Sequence, residues 1–259
     1  YGIAIGDCAG RCSTTGGNVL VGRAAGCVLT QKHNTFIGDL SGIKSKETCG
    51  STFVGYYAGG CNTTGNRNTN LGCRAGIGNT TGGHNINIGA MSGPQNCGAT
   101  GEANIFMGRY SGRALTFGQC NIGVGYQAAH CITSGCRNII FGRNAAKGLT
   151  TGNSNFYVGN HAGPTACGHT GSHNIALGDN AMRNSSGGAS CNIVLGLDAG
   201  NDITGNYNVI LGCGAALDST SLNRGIIIGC EAGRLTTGDY TISIGVRAGR
   251  CNTTGGKNI

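Results

Sequence analysis

The chain has 259 residues, of which 52 are glycine, and only 11% of its residues are charged, for a formal net charge of +8. A globular enzyme of this length carries about 25% charged residues and about 7% glycine, so the composition argues against that class. Two prolines and the lack of a three-residue glycine period exclude collagen, and no run approaches the ~20 apolar residues of a membrane span.

A glycine that follows an apolar residue recurs fifteen times, at spacings of 16 to 19 residues. We number each repeat from this glycine, as position 0. Position −3 is Ile, Val, Phe or Thr in every copy, position +3 is Ala or Ser, and position −4 is usually Asn. Thr-Thr-Gly follows position +4 in many copies. Repeats of this length are typical of solenoid architectures, in which each unit stacks on its neighbours.

The repeat predicts an all-β fold, a β-solenoid (parallel β-helix or β-roll) of about fifteen coils of ~17 residues. Each coil contributes a strand over positions −3 to −1. In chain order these strands are predicted at 3–5, 19–21, 35–37, 52–54, 69–71, 86–88, 105–107, 122–124, 139–141, 156–158, 175–177, 193–195, 209–211, 226–228 and 242–244. We expect a single domain over 1–259, as a fibre subunit or a fragment of a longer array.

Strand alternation leads us to predict that positions −3 and −1 point inward and that position −2 points outward. Glycine at positions 0 and +4 allows positive φ at the corners, and Asn at position −4 is expected to stack in a hydrogen-bonded ladder and to tolerate left-handed geometry. An outward apolar column would serve homo-oligomerisation or lateral bundling. The alternatives are that such residues are tolerated singly or that inside and outside are reversed. The interface candidates are Phe36, Phe53, Phe106, Ile140, Tyr157, Val194, Ile210 and Ile227.

Fifteen cysteines without a C-x-x-C pair favour disulfides in an oxidising compartment. We predict bonds between adjacent coils at Cys213 and Cys230, Cys12 and Cys27, Cys49 and Cys61, and Cys120 and Cys136, against the alternative of stacked free thiols. Cys61 and Cys131 lie 70 residues apart, as do Cys97 and Cys167 in the two longest coils, which indicates duplication of a four-coil block. Cys167, His169 and His173 are too few for a zinc site, which takes about four ligands.

A basic column occupies position +5, where it could engage acidic glycans or keep the solenoid soluble. Its members are Arg11, Arg113, Lys147, Arg183, Arg234 and Arg250. Glycosylation sequons begin at Asn62, Asn79, Asn184 and Asn252. We find no enzymatic motif and predict no catalytic residue, cofactor or metal.

Residues 34–42 (N-T-F-I-G-D-L-S-G) and 51–65 (S-T-F-V-G-Y-Y-A-G-G-C-N-T-T-G) show the repeat best. It resembles the tandem repeats of bacteriophage tail fibres, bacterial surface proteins and giant-virus proteins. It is similar, more loosely, to the head repeats of trimeric autotransporter adhesins. The resemblance implies a surface fibre with an attachment or scaffolding role.

Together these features predict a structural or adhesive fibre protein that is extracellular or lies on a cell or virion surface. Its expected partner is itself, as a homo-oligomer or head-to-tail filament, with surface glycans as a further possibility. We expect neither nucleic-acid binding nor membrane insertion. The alternative is a ligand-binding solenoid without catalysis, for glycans or for ice.

Overall fold

The computed structural model describes residues 2–253 and 257, and it confirms the predicted fold class. Over this part of the chain all regular secondary structure is β. The chain has the architecture of a parallel β-solenoid, with one three-residue strand per coil and fifteen strands in the described residues. The chain divides into two compact units, 1–127 with 132–134 and 128–131 with 135–259.

The first unit contains β1 (Ile3–Ile5), β2 (Val19–Val21), β3 (Thr35–Ile37), β4 (Thr52–Val54), β5 (Thr69–Leu71), β6 (Ile86–Ile88), β7 (Ile105–Met107) and β8 (Ile122–Val124). The second unit contains β9 (Ile139–Phe141), β10 (Phe156–Val158), β11 (Ile175–Leu177), β12 (Ile193–Leu195), β13 (Val209–Leu211), β14 (Ile226–Ile228) and β15 (Ile242–Ile244). These are the bounds that the repeat predicts.

Within each unit, every strand pairs in parallel with the next one along the chain. The register places equal repeat positions side by side, as with Phe36 and Phe53 of β3 and β4. The rings of these two residues stack with centroids 4.6 Å apart and an interplanar angle of 3°. Because every coil repeats the same pattern, each repeat position forms a column of side chains along its unit.

The side chains of the strands point in the direction opposite to the one predicted. From β2 to β15 the middle residue, at position −2, is buried, whereas positions −3 and −1 are partly or largely exposed. The predicted interface residues are therefore core residues with no exposed surface. They are Phe36, Phe53, Phe106, Ile140, Tyr157, Val194, Ile210 and Ile227.

The close approach of the opposite wall explains this reversal. A Cβ added at Gly59 would lie 2.5 Å from the ring of Phe53. Ser41, at position +3 of its coil, donates its hydroxyl to the Phe53 carbonyl oxygen at 3.1 Å. A three-residue strand that turned positions −3 and −1 inward would bring two large side chains per coil against this wall. The interior has room for one, so position −2 supplies it.

The predicted asparagine ladder at position −4 is confirmed, and Asn174 illustrates its geometry. The Asn174 Oδ1 accepts the backbone N–H of Asn192 at 3.1 Å, and its Nδ2 donates to Asn155 Oδ1 at 3.0 Å. The same Nδ2 donates to the Ala189 carbonyl at 2.8 Å. Left-handed backbone geometry falls one residue earlier, at position −5, where His173 has a φ of 60°. The expectation that the asparagines themselves would adopt it was wrong.

Candidate functional site

Two disulfides join coils that are two strands apart. Cys61 is bonded to Cys97 in the first unit with 5.7 Å between their Cα atoms, and Cys131 is bonded to Cys167 in the second with 5.8 Å. Both bonds join cysteines 36 residues apart, and the two pairs are offset by 70 residues. The four-coil duplication seen in the sequence thus reproduces the same cross-link in each unit.

In each pair the second cysteine lies on a longer loop, which passes over the coil that separates the two bonded coils. In the first unit, the Gly78 N–H donates to the Pro94 carbonyl at 2.8 Å, and the Ala99 N–H donates to the Gly78 carbonyl at 3.1 Å. A Cβ at Gly78 would collide with the carbonyl oxygen of Asn96, so only glycine lets the loop lie this close. Gly148 holds the same place in the second unit.

The predicted bonds between adjacent coils are wrong. Cys61 bonds Cys97 instead of Cys49, and Cys120 is a free thiol, so its bond to Cys136 is absent. The remaining predicted partners are free thiols too, namely Cys12, Cys27, Cys213 and Cys230. Side chains at equal positions of adjacent coils, like those of Cys213 and Cys230, run side by side, whereas a disulfide needs Cβ atoms that converge.

A cleft of about 290 Å³ lies beside the second disulfide, between residues 165–169 and 184–187. His169 lies buried at its base, and its Nδ1 accepts the Gly171 N–H at 3.2 Å. The neutral ring therefore carries its proton on Nε2, which lies 3.5 Å from the Ser185 hydroxyl oxygen. Ser185 donates its own proton to the Met182 carbonyl at 2.8 Å. His169 therefore cannot accept a proton from Ser185. The two side chains stabilise the fold and do not form an activated nucleophile.

Burial makes the second unit sensitive to acid through His169. Removal from water lowers the pKa of His169 to about 4, against about 6.5 for an unfolded histidine. The stability that depends on neutral His169 is complete above pH 6.5 and is lost as the pH falls toward 4. Between pH 7 and pH 4 we expect the wild-type chain to lose about 3 kcal/mol more unfolding free energy than a His169→Ala variant.

Denaturant titrations of both proteins at several pH values measure this difference. Alanine is a fitting replacement because buried Ala99 holds the same position in the long loop of the first unit. His169→Ala changes the stability at pH 7 as well, so the comparison is between the slopes against pH. Equal slopes for the two proteins would contradict the assignment of this acid sensitivity to His169.

The predicted basic column is neutralised in part by acidic neighbours. Arg234 lies 2.9 Å from Asp218, and Arg250 lies 3.6 Å from Glu231, which Arg247 also contacts at 3.0 Å. The hydrogen bond and charge of Arg247 lower the pKa of Glu231, so this carboxylate stays ionised. The positive charge of the column is therefore uneven, and its far end pairs with acids of the same chain.

The structure places two of the four predicted glycosylation sites in the interior of the coils. Asn62 and Asn79 are buried, and their amide nitrogens donate to the carbonyls of Gly65 at 3.0 Å and Gly82 at 2.7 Å. A glycan at either position would need the coil to open. Asn184 is exposed beside the cleft, and Asn252 is partly exposed. The third residue of the last sequon lies outside the described residues.

Residues 2–253 and 257 contain no helix long and apolar enough to cross a membrane. Among the same residues no group of three or more His, Cys, Asp or Glu is arranged to hold a metal ion. Cys167, His169 and His173 are accordingly not brought together as ligands. The two disulfides fit an oxidising environment. Comparison with protein-family models, curated protein sequences and solved structures finds no match for this chain.

Proposed function

We propose that this chain is a structural or adhesive fibre protein on the outside of a cell or virion. The observation that supports the proposal is the backbone hydrogen bonding between successive coils. The Phe156 N–H donates to the Asn174 carbonyl at 2.8 Å, and the Gly178 N–H donates to the Val158 carbonyl at 2.9 Å, and this pattern recurs along each unit. A coil with the same pattern from a second copy offers the same donors and acceptors, which favours growth by stacking.

The cysteines of the chain also support this proposal. Each disulfide closes a segment of 36 residues, which restrains the coils it spans against local opening. Disulfides persist in oxidising compartments, which agrees with a place outside the cell. Several other cysteines, including Cys12, Cys73 and Cys251, are exposed free thiols that could form bonds between copies.

Electron microscopy of the purified protein, with and without reductant, tests the proposal. We expect filaments built from stacked copies in the absence of reductant. Filaments that dissolve in reductant would show that cysteines link the subunits, and filaments that persist would assign assembly to coil stacking alone. Discrete particles under both conditions, at every concentration tried, would contradict growth into a fibre.

Glycan binding is a second candidate function, which an exposed aromatic stack favours. Arg224 lies between Tyr207 and Tyr240, with its guanidinium carbon 5.7 Å and 5.3 Å from their ring centroids. Its Nη1 donates to the Tyr240 hydroxyl at 3.0 Å. Tyrosine faces beside a held guanidinium suit sugar rings. Loss of glycan-array signal in a Tyr207→Ala, Tyr240→Ala variant would support this function, and a wild-type array without signal would contradict it.

A further inference from the structure

The outer side of the strands in the second unit is entirely apolar. In β9–β15, positions −3 and −1 hold two columns of seven side chains each, and we call these fourteen the apolar face. They are Ile139, Phe141, Phe156, Val158, Ile175, Leu177, Ile193, Leu195, Val209, Leu211, Ile226, Ile228, Ile242 and Ile244. All are partly or largely exposed, and none carries a polar or ionisable group.

The exposed area of this face is of the order that one side of a stable interface takes. A standard interface takes about 800 Å² from each partner, which is about 57 Å² from each of fourteen side chains. Phe141 is 39% exposed, which for an aromatic side chain of about 150–250 Å² offers about 60–100 Å², and the eight side chains of the face that are only partly exposed offer less each. Contiguous apolar patches of several hundred Å² on a protein surface mark an interaction site.

Charge and spacing identify the partner. The chain carries a net charge of +8, but none of the fourteen side chains of the apolar face is charged, so two copies that meet there bring no like charges into direct contact. Its side chains repeat along the columns at the strand spacing of about 4.8 Å. A flat surface with the same repeat lets the two sets of side chains interdigitate over many coils, as in the dry interfaces between identical sheets. A second copy of this chain presents that surface.

The surroundings of the face resemble the rim of an interface. On one side, position −5 carries the exposed residues Arg137, His173 and Arg224. On the other side, position +1 includes Arg143 and Asp179. An apolar centre with a polar margin is the usual anatomy of a protein–protein contact.

We propose that the apolar face packs against the same face of a second copy of this chain. Two identical faces meet about a two-fold axis, and the two sheets lie about 10 Å apart. The proposal rests on the proposed function in taking the chain to assemble with itself. It assigns the lateral contact to a surface distinct from the strand edges that stacking would use.

Sedimentation velocity of the full chain over a concentration series, with variants of Ile193, tests this proposal. Ile193 lies in β12 and is 40% exposed. Below the concentration at which filaments form, we expect a dimer for the wild type and monomers for both Ile193→Lys and Ile193→Glu. Because β12 is the middle strand of the face, the two introduced charges would lie near the two-fold axis and repel each other whichever sign they have. Leu235→Lys is the matched control, since Leu235 is also 40% exposed but lies off the face. It should leave the dimer intact.

A fold-compatible variant guards against misfolding as the cause. Thr35, Thr52 and Thr69 occupy position −3 in the first unit, so the coil accepts threonine there. A double variant, Ile193→Thr with Ile226→Thr, should keep the wild-type circular dichroism spectrum and raise the dimer dissociation constant at least tenfold. A monomeric wild type, or a dimer that both charged variants retain, would overturn the proposal. A monomeric wild type that binds vesicles of neutral lipid, with binding lost in Ile193→Glu, would overturn it in favour of a lipid surface.

Electron microscopy of the same variants separates this proposal from the proposed function. Paired filaments in the wild type and unpaired filaments in Ile193→Lys would support both the fibre and the face-to-face contact. Dimers without filaments would support the face-to-face contact and contradict the fibre. Single filaments in the wild type, with no lateral pairing, would support the fibre and overturn the contact.

Discussion

A Gly159→Ala variant is expected to lose at least about 4 kcal/mol of unfolding free energy. Gly159 stands at position 0 with a φ of 138°, which disfavours any side chain. A Cβ there would also lie 2.5 Å from the carbonyl oxygen of Gly178, the position 0 glycine of the next coil. The Gly178 N–H is bonded to the Val158 carbonyl at 2.9 Å, so this backbone cannot withdraw without breaking the link between the coils.

Chemical denaturation followed by circular dichroism measures the effect, and Gly188→Ala is its control. Gly188 belongs to the same unit, lacks a positive φ, and has only the Thr170 hydroxyl oxygen near its virtual Cβ, at 3.4 Å. Alanine there should change the unfolding free energy by no more than about 1 kcal/mol. Similar stability of the two variants would show that the coil corner tolerates a side chain, contrary to the stacking described.

Removal of one rung of the asparagine ladder should have a comparable effect. Asn174→Ala deletes the acceptor of the Asn192 N–H and the donors to Asn155 Oδ1 and the Ala189 carbonyl. Asn174 is fully buried, so water does not replace these partners. Each buried group that loses its partner costs about 1–3 kcal/mol, and we expect a total loss of about 3–5 kcal/mol.

Asn223→Ala provides the comparison for this prediction. The Asn223 amide donates to the Ser221 carbonyl at 3.2 Å and to Asp239 at 3.1 Å, and its Oδ1 accepts the Asn206 N–H at 2.8 Å. Both asparagines are partly exposed, so water can replace these bonds. Loss of the Asn223 amide should cost no more than about 1 kcal/mol. Thermal melts and denaturant titrations of both variants test the contrast. Equal losses would mean that the ladder contributes no more than a surface hydrogen bond.

The repeat pattern carries the information for the coil itself. Glycine at position 0 and Asn at position −4 recur at one spacing, and both have roles that depend only on the next coil, which has the same sequence pattern. Local rules therefore suffice to predict the strand bounds, the ladder and the positive φ at the corners. The prediction of Asn174 as a ladder residue and of Gly159 as a corner needed no knowledge of distant contacts.

The direction of the strand side chains could not be obtained in this way. In β14 all three residues are isoleucine, so apolar character gives no contrast between Ile227, which is buried, and Ile226 and Ile228, which face outward. The Ala and Ser residues at position +3 are visible in the sequence. Their meaning depends on how closely the opposite wall approaches, which is a property of the folded coil.

The disulfides show the same division between sequence and tertiary structure. The 70-residue offset that relates Cys61 to Cys131 and Cys97 to Cys167 is visible in the sequence, and it indicated the duplication that both units share. The partners were decided by the path of the long loop over Gly78, which skips one coil. The repeating coil follows from the amino-acid pattern, because each coil bonds to a copy of that same pattern. Tertiary structure alone decided which faces are buried and which cysteines meet, because those depend on distances across the coil that the period does not contain.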